Sequence, residues 1–227
     1  MKFLFLILMM ITSSVYAQKN NKYGVESVSD KSIYFEQLQN DSTQHLVDLT
    51  KIQGLFFDIR YATKNNFTGS VVYPQIGAFA RAEVAKALKA ISQEINKNGL
   101  ALLIYDAYRP YDATVKFYEL YKDTNYVASP YSGSRHNRGC AIDLTLIDLI
   151  SKKPLNMPTP YDDFTEQAHP TYEDLPENAK NNRDFLINIM DKHGFDVYKN
   201  EWWHFDFRGW EQYPIMNLSF ETLKNIQ

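Results

Sequence analysis

The strongest periodic signal along the chain is "ARAEVAKALKAISQEINKNG", residues 80–99. Val84, Leu88, Ile91 and Ile95 recur on one helical face, and Asn98-Gly99 supplies a stop, so the spacing predicts an α-helix. "LALLIYDAY" follows as a short apolar run, which predicts a buried central strand. "DATVKFYELYKD" predicts a second helix, with Asp112 as its N-cap. "CAIDLTLID" alternates as a strand, placing Ala141, Asp143 and Thr145 on one face and Ile142, Leu144 and Leu146 on the other. "LPENAKNNRDFLINIMDKHG" predicts a third helix, with Phe185, Leu186, Ile189 and Met190 inward and Gly194 as the stop. "FDVY" and "WWHFDF" read as a closing hairpin. Upstream, residues 58–62 predict an edge strand, followed by a loop around Gly69. Helices alternating with strands, ended by a β pair, predict an α+β fold. It would be a compact single domain with a mainly antiparallel sheet and flanking helices.

Residues 18–44 are polar and weakly periodic, so they predict a flexible lead or an arm on the surface ahead of a domain over residues 45–227. The first residues, "MKFLFLILMMITSSVYAQKN", have a different pattern. Lys2 precedes an unbroken apolar run, and Val15 and Ala17 are small residues before a cut at Gln18. This is the pattern of a signal peptide over residues 1–17. The run falls short of the ~20 residues that span a bilayer. An exported, periplasmic or secreted protein is expected, with no stable membrane insertion after cleavage.

Composition narrows the chemistry. With 24 Lys+Arg against 27 Asp+Glu there is no basic footprint for nucleic acid. The single cysteine, Cys140, excludes an internal disulfide and a thiolate-rich metal site. Any metal must be held by histidine and carboxylate.

"EWWHFDF" sets Glu201 and His204 in an apolar stretch, where uncompensated charge is costly. "SRHNRGCAIDLT" supplies partners: His136 in a loop that Gly139 lets turn tightly, and Asp143 on the strand that follows. His136, Asp143 and His204 form a two-histidine, one-carboxylate set with room for water, which is a usual catalytic zinc arrangement. Iron(II) uses the same ligand types. Nothing else in the sequence suggests oxygen chemistry, so one Zn2+ is expected. Glu201, three residues before His204, would have to sit at a bend ahead of the strand to reach the water that zinc activates and act as its base. Arg109 closes an apolar strand, where it could steady a developing oxyanion, hold a substrate carboxylate, or form a surface ion pair. Cys140, Trp202 and Trp203 are expected to pack, His193 to be structural at a helix end, His45 to lie at the surface, and His169 to follow the acidic loop without binding metal.

These stretches, together with "RYATKNNFTG" and "YDAYRP", resemble the D-alanyl-D-alanine dipeptidase family, the VanX-like zinc peptidases. The likeness runs from about Leu46 to Tyr213. That family is grouped with D,D-carboxypeptidases and hedgehog-type domains around one zinc. The resemblance implies that His136, Asp143 and His204 hold the zinc, that Glu201 is the base, and that Arg109 stabilises the transition state on the carbonyl oxygen. It further implies that Asp162 receives the substrate ammonium, that Ser134 lies beside a small dipeptide substrate, and that aromatic side chains of "RYATKNNF" close the pocket. Hydrolysis of D-alanyl-D-alanine to two D-alanines is the activity implied. Trimming of peptidoglycan stems and a non-catalytic zinc module are the alternatives. Oligomeric state is not legible.

Overall fold

The structure, a computed structural model, describes residues 21–226. The expected signal peptide, residues 1–17, lies outside the described residues. A five-stranded sheet forms the centre, with spatial order β2 (Leu55–Phe57), β4 (Leu100–Asp106), β5 (Ala141–Asp148), β7 (His204–Phe207), β6 (Phe195–Val197). Every pairing in it is antiparallel except β2 with β4. A separate antiparallel pair joins β1 (Leu46–Asp48) to β3 (Phe79–Arg81). The helices are α1 (Lys31–Asn40), α2 (Ala82–Ile95), α3 (Tyr111–Leu120), α4 (Glu177–Lys192) and the short α5 (Phe220–Lys224). The architecture is α+β, as the alternation of patterns predicts.

The apolar faces account for the layering. Val84, Leu88, Ile91 and Ile95 of α2 are fully buried, and α2 packs on β1, β3 and β4. Leu186, Ile189 and Met190 of α4 are buried, and α4 packs on β5 and β6. Strand β5 occupies the middle of the sheet, and Ala141 through Ile147 are buried on both faces. Its inner row, Ile142, Leu144 and Leu146, joins the hydrophobic core. Its other row carries Asp143 and Thr145, so polar groups are also removed from water there.

One irregularity positions the chemistry. The β4–β5 register shifts between Ile104 and Asp106, so that Asp106, not Tyr105, lies opposite Asp143. Bulges of this kind re-aim side chains next to functional sites.

Three sequence expectations change. The edge strand is β2, just before residues 58–62, and Arg60–Ala62 is a short helical turn. Apolar Leu55–Phe57 pairs with β4, while Arg60 turns back to Asp58 at 2.7 Å and lies over the Tyr105 ring. Residues 21–44 are no irregular lead. Asp30 caps α1 by accepting the Ser32 amide hydrogen at 2.6 Å, Tyr34 is fully buried, and Val28 bridges to Met216. Polar composition hid this because few apolar positions do the anchoring. Asp112 is not the cap of α3: Pro110 occupies that position, and the Asp112 amide donates to Asn217 Oδ1 at 3.0 Å. That cap comes from a distant segment and leaves no local pattern.

Gly139 ends the turn over His136–Arg138 with φ of 72°, and a Cβ there would come within 2.5 Å of Leu46 Cδ2. Gly139→Ala is therefore expected to lower stability by about 1–3 kcal/mol, from left-handed strain and the clash, measured by urea unfolding against wild type.

Candidate active site

Asp143 on β5 and His204 on β7 are direct cross-strand partners, so their side chains share one face. His204 Nδ1 lies 3.0 Å from Asp143 Oδ1. His136 enters from the turn before β5, with Nε2 at 3.3 Å from Asp143 Oδ1 and 3.2 Å from His204 Nδ1. The three donor atoms lie within 4.8 Å of one another. The outer nitrogen of His136, Nδ1, lies 2.7 Å from the Ala107 carbonyl. A carbonyl only accepts, so Nδ1 carries the proton and Nε2 offers a lone pair. Asp143 Oδ1 is buried and makes no hydrogen bond, despite the two imidazoles beside it. Lone pairs converging on one point, with an orphaned buried carboxylate oxygen among them, fit a divalent cation. Cys140 is no competing ligand: it is buried, and burial pushes its thiol up to about 12.

Glu201 sits in the turn ahead of β7, where Trp202 and Trp203 complete the bend. The turn escapes strand parity and brings Glu201 Oε2 to 3.8 Å from His204 Nδ1. Burial pushes its carboxyl up to about 8. A cation on the neighbouring ligands would draw it back toward the ionised form a base needs.

Arg109 is not a surface residue. It is buried, and Asp106 Oδ2 accepts from its Nε at 2.9 Å and its Nη2 at 2.7 Å. Its guanidinium lies against Tyr61 and Phe117 and reaches to 3.8 Å from Asp143 Oδ2. Burial raises the Asp106 carboxyl, and the Arg109 charge opposes the rise. Asp106 Oδ1 accepts from the Tyr73 hydroxyl at 2.9 Å.

These groups open onto a pocket of about 260 Å³, lined also by Tyr61, Phe67, Asp162, Ser134 and Trp203. This is below the ~300–1,000 Å³ of ordinary small-molecule sites. Asp162, not its neighbour Asp163, lines it. Asp162 holds a left-handed backbone with φ of 62°. Its carboxylate accepts from the Tyr61 hydroxyl at 3.0 Å and the Phe67 amide at 3.1 Å. Burial raises its carboxyl to about 7. Ser134 is buried in the wall, where its Oγ accepts the Asn137 amide at 3.1 Å.

All seven sequence-predicted site residues therefore border one pocket. His193 instead pairs with Glu94 at 3.0 Å, and Trp202 is buried with Nε1 donating to Thr159 at 3.0 Å. The sequence missed the residues that hold the site in place. Asn137, fully buried, donates to the Arg109 carbonyl and to Thr114 Oγ1, both at 2.9 Å, tying the His136 turn to α3. Tyr161 donates to Asp143 Oδ2 at 2.8 Å. Asp206 Oδ1 lies 3.0 Å from His204 Nε2. Of these only Asp206 left a signal: it stands two positions after His204 on a strand, hence on the same face.

Two imidazoles and a carboxylate about one point, with a second carboxylate and a guanidinium alongside, are the parts of a hydrolytic metal site. A family model described as D-ala-D-ala dipeptidase matches residues 42–221. A D-alanyl-D-alanine dipeptidase of Escherichia coli K12 is 36% identical over 179 residues, covering 78% of this chain and 92% of the relative. Its counterparts in Enterococcus faecium and Enterococcus faecalis are 33% and 31% identical, each covering 74% of this chain and 93% of the relative. The chain belongs to the D-ala-D-ala dipeptidase family and is an enzyme of the peptidase class.

His136→Ala is expected to lose a bound divalent ion, read by elemental analysis after dialysis. Glu201→Ala should keep the ion at the wild-type ratio, because Glu201 flanks the ligand set without belonging to it.

Proposed function

We propose that this chain hydrolyses the free dipeptide D-alanyl-D-alanine to two D-alanines, with one zinc ion held by His136, Asp143 and His204. The observation that carries the reading is the pocket itself. It is small, and its lining brings a further carboxylate, Asp162, together with the two imidazoles and Asp143. A dipeptide has an ammonium, one scissile carbonyl and little else to house.

When bound, zinc would polarise the carbonyl and make water a better nucleophile at neutral pH. Glu201 takes a proton from that water as its oxygen bonds to the carbonyl carbon. The electron pair displaced onto the carbonyl oxygen is met by the Arg109 guanidinium, which Asp106 fixes in place and which needs no reorganisation as charge develops. The carbon–nitrogen bond then breaks, and Glu201 returns its proton to the leaving amine. Asp162 receives the substrate ammonium, held ready by Tyr61 and the Phe67 amide. Ser134 stands in the wall beside the dipeptide. Tyr61, Phe67 and Trp203 shut water and longer chains out.

The signal-peptide pattern supports export, and an exported enzyme would meet dipeptide released outside the cytoplasm. That favours wall turnover or scavenging. Whole-cell fractionation that recovered the mature chain in the cytoplasm would overturn it. Among the described residues no helix is long and apolar enough to cross a membrane.

Purified protein is expected to cleave D-alanyl-D-alanine far faster than L,L dipeptides or a stem pentapeptide. Preference for the pentapeptide would make it a carboxypeptidase, and an inert zinc-loaded protein would make it a binding module. Glu201→Ala should cut kcat by at least ~10²-fold. Asp162→Asn should act chiefly on KM. Only the ionised carboxylate attracts the ammonium. Burial raises the Asp162 carboxyl to about 7, and a cation on the neighbouring ligands would bring its titration to a lower pH, as for Glu201. The ratio of wild-type to D162N kcat/KM should therefore be largest above that pH and shrink as pH falls through it. A ratio independent of pH would remove Asp162 from this role.

A further inference from the structure

We propose that Asp206 is a positioning residue for the metal centre: its carboxylate fixes the ring orientation and tautomer of His204 and thereby sets how tightly the three ligands hold a divalent cation. The inference rests on His136, Asp143 and His204 being the ligands and adds a residue that touches neither metal nor substrate.

The two ligand histidines are held differently. His136 is fixed by a backbone carbonyl, that of Ala107, at 2.7 Å. His204 is fixed by a side chain, with Nε2 at 3.0 Å from Asp206 Oδ1. A carboxylate only accepts, so this contact places the proton on Nε2 and leaves the Nδ1 lone pair aimed at Asp143 and His136. Turning the ring over would put a carbon where the lone pair must be and break the bond to Asp206.

The strand pattern makes the contact possible. His204 and Asp206 are two apart on β7 and share a face. On β5, Asp206 lies opposite Ala141, whose small side chain leaves room for a carboxylate to lean toward the ring. The second oxygen, Oδ2, faces the Arg135 Nε at 3.6 Å. The Arg135 guanidinium in turn lies 4.8 Å over the Trp210 ring. Asp206 is thus steered from both ends, by the ring it orients and by a cation next to His136 in sequence. A negative charge behind an imidazole also makes it a stronger donor to metal than a neutral carbonyl does. Asp206 supplies that charge at hydrogen-bond distance from His204, whereas at His136 the nearest carboxylate behind the ring, Asp106 Oδ2, stands 3.8 Å from Nδ1.

The test is zinc affinity, measured by competition with a chromogenic chelator on the full chain, with the Co2+ absorption spectrum as a second readout of ligand geometry. Asp206→Ala is expected to weaken zinc by ~10–100-fold and to alter the Co2+ bands. Asp206→Asn keeps an oxygen for the Nε2 proton without the charge, so it should fall between Ala and wild type. It is close in size to Asp and carries the test if the alanine variant does not fold. Asp196→Asn, on the neighbouring strand and engaged with Arg208 at 2.7 Å, should leave affinity unchanged. Wild-type zinc affinity and spectrum in both Asp206 variants would overturn the inference and leave the ligand assignment standing. A wild-type chain that binds no zinc would overturn the ligand assignment and the inference with it. Neither readout depends on which peptide is cleaved.

Discussion

Two carboxylates, Asp106 and Asp143, face each other across neighbouring strands in the middle of the sheet, and neither reaches water. Buried like charges at that spacing cannot both stay ionised without positive partners. Much of the surrounding structure answers this constraint. Arg109 closes on Asp106 with two hydrogen bonds, and Tyr73 takes the other Asp106 oxygen. Tyr161 takes one Asp143 oxygen, and the remaining one faces two imidazole nitrogens. One carboxylate is thus neutralised by protein, and the other is left for a cation from outside. Removing Arg109 would strand Asp106, at the ~3–5 kcal/mol typical of a broken buried pair. Arg109 therefore bears on stability as well as on the site, and the coupling keeps its guanidinium fixed.

The same constraint sets the chemistry the pocket can do. A cation held at Asp143 would stand close to the Arg109 guanidinium, which lies 3.8 Å from Asp143 Oδ2. Asp162 adds a carboxylate to the same lining, and on the proposed reading it would take the ammonium end of a zwitterionic ligand. The left-handed backbone at Asp162 is the kind of local strain that persists where surrounding structure fixes it. Tyr61, from the turn that replaces the expected edge strand, and the Phe67 amide, from the loop after it, supply that fixing. Had residues 58–62 continued as regular strand, Tyr61 would have been spent on the sheet and not on the pocket.

How much of this is legible in the sequence depends on the range over which each feature acts. The helix faces of α2 and α4 and the alternation of β5 are local, and periodicity reports them directly. The clustering of His136, Asp143 and His204 was legible because histidine and carboxylate in apolar surroundings are chemically conspicuous, and because Gly139 marks a tight turn. The need for Glu201 to leave regular strand geometry followed from parity alone, and the turn over Glu201–Trp203 meets it. The bulge at Tyr105 was not legible, since "LALLIYDAY" reads the same with or without it. Asn137 and Tyr161 were not legible either, because their partners lie on other elements. The anchoring of α1 rests on a few residues such as Val28 and Tyr34, too few to raise a periodic signal above the polar background.

The supporting groups follow a division that the backbone imposes. His136 sits in a turn whose carbonyls and amides are free to bond outward, so the backbone can hold it: its ring bonds to Ala107, and its own carbonyl accepts the Arg109 amide at 3.1 Å. His204 sits at the start of β7, where its carbonyl accepts the Tyr198 amide at 2.9 Å and its amide donates to the Glu201 carbonyl at 3.4 Å. Its ring nitrogen Nε2 meets a side chain on the same face, Asp206, at 3.0 Å. Position 206 is the first place along β7 from which that is possible. On the proposed reading, the two carboxylates of the apolar segment "EWWHFDF" have separate tasks: Glu201 would serve the reaction, and Asp206 would orient the imidazole between them.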